Sequence, residues 1–587
     1  MASPLRSRAS SRRTTLALSF VLLVVVVLVA RLVDIQVVRA AGLTEEAAGR
    51  RAVSLPLRGD RGPILDRDGR QLATSVVRYD VTAAPVFADT AVLERDGARA
   101  SVSVDEALGE IAAVTGASPA ALRDALDADP GADFAYLVKG VDVEVYRAVR
   151  ALRIPWVYFE RHSARSYPNG AVAGNLTGFI GTDGPQAGLE LTEDSCLGGS
   201  DGRETFERGA DGVRLPGSTV VEAEPRPGSA LTLTIDRDLQ YLAQQALAEQ
   251  GTALRAESGT VVVMDARTGE LLTVADWPSV DPNDVDGTPV GDLGSKAFTD
   301  SYEPGSTFKA ITAAALLDQG AADPASRVTA ADSRSFPWGG RIKDAVPHPT
   351  RQLTLTGVLR DSSNVGTTLL GERLSAATRH DYMTRFGLDG PTEVGFLGEP
   401  TAGIRPASDW DRQTDVNTMF GQGVSTTAVH VASIFQTLAN HGVRMPVSLV
   451  AGCGDGASAA GEPAEGTRVV SADAADTTLG MLEHVVTDGD LSEALTLPGY
   501  RVAAKSGTAE VALPDGRGYG SDFIVSVAGV APADDPRFVV VATFTKPQAA
   551  KTSAAAAPTF NRVMAEALHL NAVPPSTEPA TRYPTTW

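Results

Sequence analysis

Leu16 to Ala30 is apolar throughout except for Ser19, and the thirteen residues before Thr14 carry Arg6, Arg8, Arg12 and Arg13 with no acid. With Thr14–Thr15 and Leu32–Val38 on its flanks, the run reaches roughly 20 residues, enough to cross a bilayer as a helix. A membrane-anchored chain is therefore expected: residues 1–13 as a cytoplasmic tail and 14–38 as a transmembrane helix. Arg and Lys favour the cytoplasmic side, so everything from about residue 40 onward is placed outside. The competing reading is a cleaved signal peptide, which needs a small-residue cleavage site after the run. Ala40-Ala41 is only a weak one. No later segment is long and apolar enough to span, so one pass is expected.

The remainder reads as folded matter, with 43% hydrophobic and 21% charged residues. Acids outnumber bases 72 to 52, a formal charge of −20, which argues against a general nucleic-acid binder. Two cysteines, Cys196 and Cys453, exclude a disulfide scaffold. Two unrelated small residues are the expected reading, one structural disulfide the alternative. A length of 587 residues allows several domains. Residues 42–225 mix short β-like runs such as Tyr79–Ala84 with helical stretches at Asp105–Val114 and Pro119–Ala128. Arg226-Pro-Gly-Ser229 marks a boundary. Within 226–570, Leu231–Ile235, Thr260–Met264, Arg501–Ala504, Phe523–Val530 and Phe538–Phe544 read as strands, and Leu239–Gln250 and Pro558–Leu570 as helices. Strands at both ends around a helical centre predict one sheet assembled from distant segments. Residues 571–587, rich in Thr and Pro, are predicted to be a disordered tail.

Only seven of the 52 basic residues are Lys. Where Arg is the default cation, a lysine stands out. Lys309 closes Tyr302-Glu-Pro-Gly-Ser306-Thr-Phe-Lys309, in which Ser306 opens an Ala-rich helix. At i and i+3 the hydroxyl and the amine share a helix face, beside the free N–H groups of the helix start. A serine becomes a nucleophile through a base, and a lysine can be that base once burial and neighbours lower its pKa. Alone, the pair also fits a capping serine with a surface lysine. Asp361-Ser362-Ser363-Asn364 offers a hydroxyl that can relay a proton and an amide that can hold a peptide carbonyl. Lys505-Ser506-Gly507-Thr508 ends a predicted strand, with a glycine that permits close approach and a lysine and hydroxyls suited to a carboxylate. Each is ambiguous singly, as a turn, a cap or a strand end. In this order the three match the signature of serine β-lactamases and penicillin-binding proteins.

The chain resembles a class B penicillin-binding protein, most closely the division-specific septal subtype. Arg61-Gly-Pro-Ile-Leu-Asp66-Arg67-Asp-Gly69, Arg165-Ser-Tyr-Pro168-Asn-Gly170, Gly178-Phe-Ile-Gly181 and Gly188-Leu-Glu190 are similar to the family's pedestal motifs. Phe420-Gly-Gln-Gly423-Val-Ser-Thr426 is similar to a further transpeptidase motif, and Arg31-Leu32 with Ile35-Gln36 to the membrane-proximal pattern. Two positions depart: Asn175 where members often have His, and His430 where Gln is expected. The resemblance implies an α+β multidomain chain. A single transmembrane helix would precede an elongated pedestal over 42–225 and a β-lactamase-like serine transpeptidase domain over 226–570, its central antiparallel sheet flanked by helices.

The resemblance also implies Ser306 as nucleophile, Lys309 as general base, Ser362 as proton relay and Asn364 as the residue orienting the donor peptide. Lys505, Ser506, Gly507 and Thr508 would bind substrate. No cofactor or metal is implied. The expected partners are the D-Ala-D-Ala stem peptides of peptidoglycan, β-lactams, the membrane, a membrane-embedded glycosyltransferase and other division proteins, with no nucleic acid. Asp515-Gly-Arg-Gly518 is a candidate flexible turn beside the site, or a plain hairpin turn. The alternatives are an elongation-specific subtype, a β-lactam sensor or hydrolase, and a catalytically idle scaffold. A sensor would carry several membrane helices, a hydrolase would lack the pedestal, and the intact serine–lysine triple argues against the scaffold.

Overall fold

The computed structural model describes residues 7–95, 98–181, 183–207, 209, 214–215, 217–400, 403–454, 465–512 and 518–587. They form two compact units, the described residues of 7–60 with 199–227, and those of 61–198 with 228–587.

In the first unit, the helix Ser7–Val33 continues into a π-helical turn at Asp34–Val38. An 18-residue window within Arg12–Val38 has a mean hydropathy of 3.0, and none of it is buried in protein. A helix apolar all round and packed against nothing suits lipid rather than water. Among the described residues it is the one helix with the length and composition to cross a membrane. Three antiparallel strands, Ala52–Leu57, Gly202–Glu207 and Val220–Ala223, make up this unit's sheet.

The second unit is built on a five-stranded antiparallel sheet in the order Leu271–Trp277, Ser258–Asp265, Phe538–Thr545, Tyr519–Ala531 and Ala503–Ala512. Its inner strands read as continuous apolar runs because both faces are covered. Val261, Val263, Val525, Val527 and Val540 pack with Leu239 and Leu247 of the helix Arg237–Leu254 and with Phe560 and Met564 of the helix Ala557–Leu570. Val262, Met264, Val530, Val539 and Val541 face the other side, with the helices Lys309–Asp318, Ala428–Ala439 and Ala472–Thr487. Each such side chain contributes about 1.5–3 kcal/mol by leaving water. The sheet assembled from distant segments is present as expected. A satellite core of Val81, Leu108, Ile111, Leu122 and Trp156 lies under the helices Val104–Thr115 and Pro119–Asp127.

The strand expected at 231–235 has another place. Leu231–Leu233 runs parallel to Ile64–Leu65 and antiparallel to Val450–Cys453, in a sheet that continues through Gln71–Ala83. This pairing brings Cys453 opposite Leu231. Cys196 and Cys453 form a disulfide with a Cα separation of 6.0 Å across 257 residues of sequence. The reading of two unrelated cysteines is thereby corrected. The sequence could not show it, because the two meet through strand pairing and not through spacing.

The pedestal motifs converge on one buried carboxylate. Glu190 is fully buried and accepts hydrogen bonds from Arg61 Nε at 2.6 Å and Arg165 Nε at 2.6 Å. Arg61 also pairs with Asp194. Asn175 satisfies three backbone groups: its Nδ2 donates to Asp292 O at 2.9 Å and Gly294 O at 3.1 Å, and its Oδ1 accepts from Val280 N. The departure from His is thus filled by an amide with both halves used.

Residues 571–587 are not a disordered tail. Val573 is buried, Ser576 N donates to Gly499 O, Tyr583 N donates to His484 Nε2 at 3.0 Å, and Leu353 bridges Thr586. The segment is held by backbone hydrogen bonds and two aromatic residues, which a composition reading does not detect.

Removing the shared carboxylate leaves the buried Arg165 without an acidic partner and Arg61 with Asp194 alone, and breaking a buried pair this way costs about 3–5 kcal/mol. Glu190→Ala is expected to lose that much stability in denaturant unfolding of the soluble chain, and an unchanged midpoint would refute the role given to the cluster.

Candidate active site

Ser306 lies on a 3-10 turn, Gly305–Phe308, that feeds the helix Lys309–Asp318. It therefore precedes the helix instead of opening it, as the sequence suggests. In the tighter turn, i and i+3 eclipse, which keeps Ser306 and Lys309 on one side. Gly305 has φ +56° and donates its N–H to Gly421 O at 2.9 Å. A Cβ on Gly421 would come 2.2 Å from Gly305 O. The Phe420–Gly423 motif therefore seats the turn by close backbone contact.

Lys309 is fully buried and donates to Ser362 O at 2.5 Å and Ser362 Oγ at 3.3 Å. Lys505 is fully buried on the sheet's edge strand and donates to Ser362 Oγ at 2.9 Å and Ser506 O at 3.2 Å. One serine hydroxyl thus accepts from both lysines and keeps its own proton to donate elsewhere. Ser362 has φ +56°, a left-handed conformation that costs about 1–3 kcal/mol in a residue with a side chain. Burial pushes the Lys309 amine well below the usual lysine range, the Lys505 charge pushes it further, and Asp344 opposes both. Burial pulls Lys505 down to about 7.

Lys505-Ser506-Gly507-Thr508 does not end its strand. The strand is Ala503–Ala512 and carries the motif near its start, paired with Tyr519–Ala531 from Ala503 to Glu510 and again at Ala512. The long ladder to this partner overrides the local turn signal of Ser-Gly. Gly507 also makes room for protein neighbours. A Cβ there would lie 2.5 Å from Ser526 Oγ, 3.0 Å from Pro304 O and 3.1 Å from Thr307 Cγ2. Glycine lets the strand close on the Ser306 turn. A Cβ on Gly305 would meet Thr508 O at 3.2 Å, so the backbones of the Ser306 turn and Thr508 adjoin. Ser506 is half-buried and Thr508 exposed.

Asn364 heads the helix Asn364–Gly371 and donates Nδ2 to Lys343 O at 2.9 Å. Beneath this loop lie two residues that sequence reasoning missed. Asp344 accepts from Ser363 Oγ at 2.7 Å, Val365 N at 3.0 Å and His348 Nε2 at 2.9 Å. His348 Nδ1 faces Pro349 O at 2.8 Å. Both ring nitrogens meet acceptors, a geometry that calls for the imidazolium. Burial lowers the His348 pKa, but the Pro349 carbonyl and Asp344 outweigh it and the net shift is upward. Asp-x-x-x-His carries no spacing signal of its own, and only the fold brings it under Ser363.

His430 is buried, with Nδ1 at 2.8 Å from Thr427 Oγ1 and Nε2 at 3.0 Å from Gly390 O. Burial lowers its pKa, and a neutral ring satisfies both contacts. A cavity of about 510 Å³ adjoins the Ser306 segment, lined in part by Tyr302, Glu303, Arg405, Ser425 and Glu510. Glu303 accepts from Gly423 N at 2.8 Å and Tyr519 OH at 3.0 Å, and its pKa is raised by burial despite both bonds, with Glu510 adding repulsion. Asp515, Gly516 and Arg517 of the predicted turn lie outside the described residues. Among the described residues, no group of three His, Cys, Asp or Glu is placed to hold a metal.

The arrangement can do acyl transfer chemistry: a serine at a turn, a buried amine with a lowered pKa, a hydroxyl that accepts from both lysines, and a second amine on the strand edge. The family model described as the penicillin-binding protein transpeptidase domain matches residues 259–565, and that of the penicillin-binding protein dimerisation domain matches 56–233. Penicillin-binding protein PbpB of Mycolicibacterium smegmatis is 34% identical over 586 residues, covering 95% of this chain and 90% of its own length. Peptidoglycan D,D-transpeptidase FtsI of Escherichia coli is 31% identical over 569 residues, covering 96% and 93%. Among solved structures, penicillin-binding protein 3 of Mycobacterium tuberculosis complexed with ampicillin superposes with a TM-score of 0.69 at 27% identity, covering 91% of this chain and 100% of that one. A peptidoglycan synthetase from Bifidobacterium adolescentis gives 0.70 at 28%, covering 92% and 100%.

Lys309 can take a proton only when neutral, and the Lys505 charge lowers its pKa toward that form. In Lys505→Met that repulsion is gone, Lys309 holds its proton to a higher pH, and the acidic limb of acylation by a fluorescent penicillin is expected to move to higher pH. A limb that stays in place would show that the two amines are not coupled in the reaction.

Proposed function

Because this chain belongs to the class B penicillin-binding proteins, the serine D,D-transpeptidases of peptidoglycan, we propose that it crosslinks stem peptides in septal wall synthesis, with Ser306 as the acylated residue. The observation that carries this assignment is the Ser362 hydroxyl receiving both Lys309 and Lys505.

Ser306 Oγ attacks the carbonyl between the two terminal D-alanines, and its proton passes to Lys309. Backbone N–H groups of Ser306 and Thr508 stabilise the oxyanion, the kind of preorganised donor pair that supplies the largest electrostatic share of such reactions. Ser362 relays the proton to the departing D-alanine nitrogen, so the peptide C–N bond breaks as the Ser306 ester forms. Lys505, Ser506 and Thr508 hold the terminal carboxylate, Gly507 keeps the strand close to the turn, and Asn364 orients the donor peptide. An amine from a neighbouring stem then attacks the ester, forms the new amide and returns the proton to Ser306 Oγ. A β-lactam takes the donor's place and leaves a stable ester.

The septal assignment is supported by likeness over nearly the whole chain to PbpB and FtsI. The helix at 14–38 anchors the chain with its N-terminus in the cytoplasm. Residues 42–225 form a pedestal that docks a membrane-embedded glycosyltransferase and other division proteins, and residues 226–570 form the catalytic domain.

The test is intact mass of residues 41–587 during incubation with benzylpenicillin, followed over hours. One lasting adduct mapping to Ser306, absent in Ser306→Ala, is expected. An adduct that disappears as penicillin is hydrolysed would indicate a β-lactamase, and a folded sample with no adduct would indicate an idle scaffold.

A further inference from the structure

Residues 573–587 run as a strap across the second unit, and we infer that this strap is a positioning element for the Ser362–Asn364 segment, an assignment that rests on the acyl-transfer reading above. The strap is fixed at several points along its length. Tyr500 OH donates to Val573 O at 2.7 Å, Ser576 Oγ donates to Asp534 Oδ1 at 2.6 Å, and Tyr583 N donates to His484 Nε2 at 3.0 Å. At its far end Trp587 Nε1 donates to Val328 O at 3.3 Å, and the Arg327 guanidinium lies 5.2 Å from the centre of the Trp587 ring.

Between these anchors the strap grips the helix Leu355–Arg360, which leads directly into Asp361 and Ser362. Six residues cannot hold a helix by themselves, since nucleation costs more than so few hydrogen bonds return. Thr354 caps this helix by accepting from Gly357 N at 3.1 Å, and its hydroxyl proton goes to Pro584 O at 2.5 Å. Thr354 N donates to Thr585 O at 3.2 Å. At the other end, Arg360 Nη1 donates to Thr585 Oγ1 at 2.7 Å while its Nε donates to Asp361 Oδ1 at 2.6 Å. Thr585 therefore touches the helix start through its carbonyl and the helix end through its hydroxyl. Asp361, held by Arg360 and by Arg351, is the residue before the left-handed Ser362. A residue in that conformation persists only where its surroundings over-determine it, and the strap is part of those surroundings.

Two glycines show that the seat is built for the strap. A Cβ on Gly357 would lie 1.9 Å from Thr585 O, and one on Gly480 would lie 3.1 Å from the Tyr583 ring. The Gly357 position admits the strap only without a side chain.

The test compares the full chain in detergent with a chain ending at Thr581 and with Gly357→Ala, the first lacking the strap's end and the second blocking its seat. Acylation by benzylpenicillin is measured well below the melting temperature, alongside amide hydrogen exchange of residues 355–365. Both variants are expected to acylate at least about tenfold more slowly and to exchange faster over 355–365. A peptide of residues 579–587 added in trans is expected to restore the truncated chain and not Gly357→Ala. A lower melting temperature with acylation and exchange unchanged would mean that the strap only adds stability, and would overturn the inference. If the full chain itself fails to acylate, the transpeptidase reading falls, and the exchange comparison still decides the strap: faster exchange supports it and equal exchange overturns it.

Discussion

Two lysine amines that both point at one serine hydroxyl, with neither exposed to solvent, are the arrangement on which the rest of this structure depends. Two like charges cannot comfortably share so small a space away from water, and the cheapest relief is for one amine to give up its proton. Lys309 is the one under greater pressure, because burial and the Lys505 charge act in the same direction. A lysine in that condition gives up its proton more readily than a free one. On the proposed function, the site would obtain its general base without a histidine, from burial and repulsion.

Burial of this kind has to be built. The helix Lys309–Asp318 has almost every side chain buried, and the edge strand Ala503–Ala512 is backed by a sheet covered on both faces. The two elements approach closely because glycines stand at the contacts. Gly305, Gly421 and Gly507 each occupy a place where a side chain would strike backbone or a packed neighbour. In its strand Gly507 costs about 0.5–1 kcal/mol of conformational entropy relative to alanine, whereas Gly305 and Gly421 hold positive φ angles that favour glycine. Here the return is a tight junction between the Ser306 turn and the strand.

The loop that supplies Ser362 is held from outside the junction. Asp344 and His348 fix Ser363 and Val365 from one side. The short helix before the loop is fixed at both ends by Thr585 and Pro584. Farther away, Glu190 ties together Arg61 and Arg165, which are 104 residues apart in sequence. In each of these contacts a charged or backbone group of the second unit is satisfied by partners from distant segments. Such networks favour one arrangement, since a half-satisfied version leaves an uncompensated polar group.

Much of this was legible in the chain itself. The apolar run with its leading arginines pointed to the membrane helix, because a bilayer sets a length and a composition that soluble cores rarely imitate. The β-branched runs marked the inner strands, and the scarcity of lysine drew attention to Lys309 and Lys505, whose neighbours supplied the motifs. Other features were decided only in three dimensions. The strand at Leu231–Leu233 chose Ile64–Leu65 over the central sheet, the edge strand ran through Lys505 instead of stopping there, Cys196 met Cys453, and a Thr- and Pro-rich segment became a strap. Local sequence reports periodicity, length and local backbone preference, and these settle which elements form. Pairing partners, buried charge and the state of an amine depend on what lies across the fold, and one segment carries no record of what another brings to it.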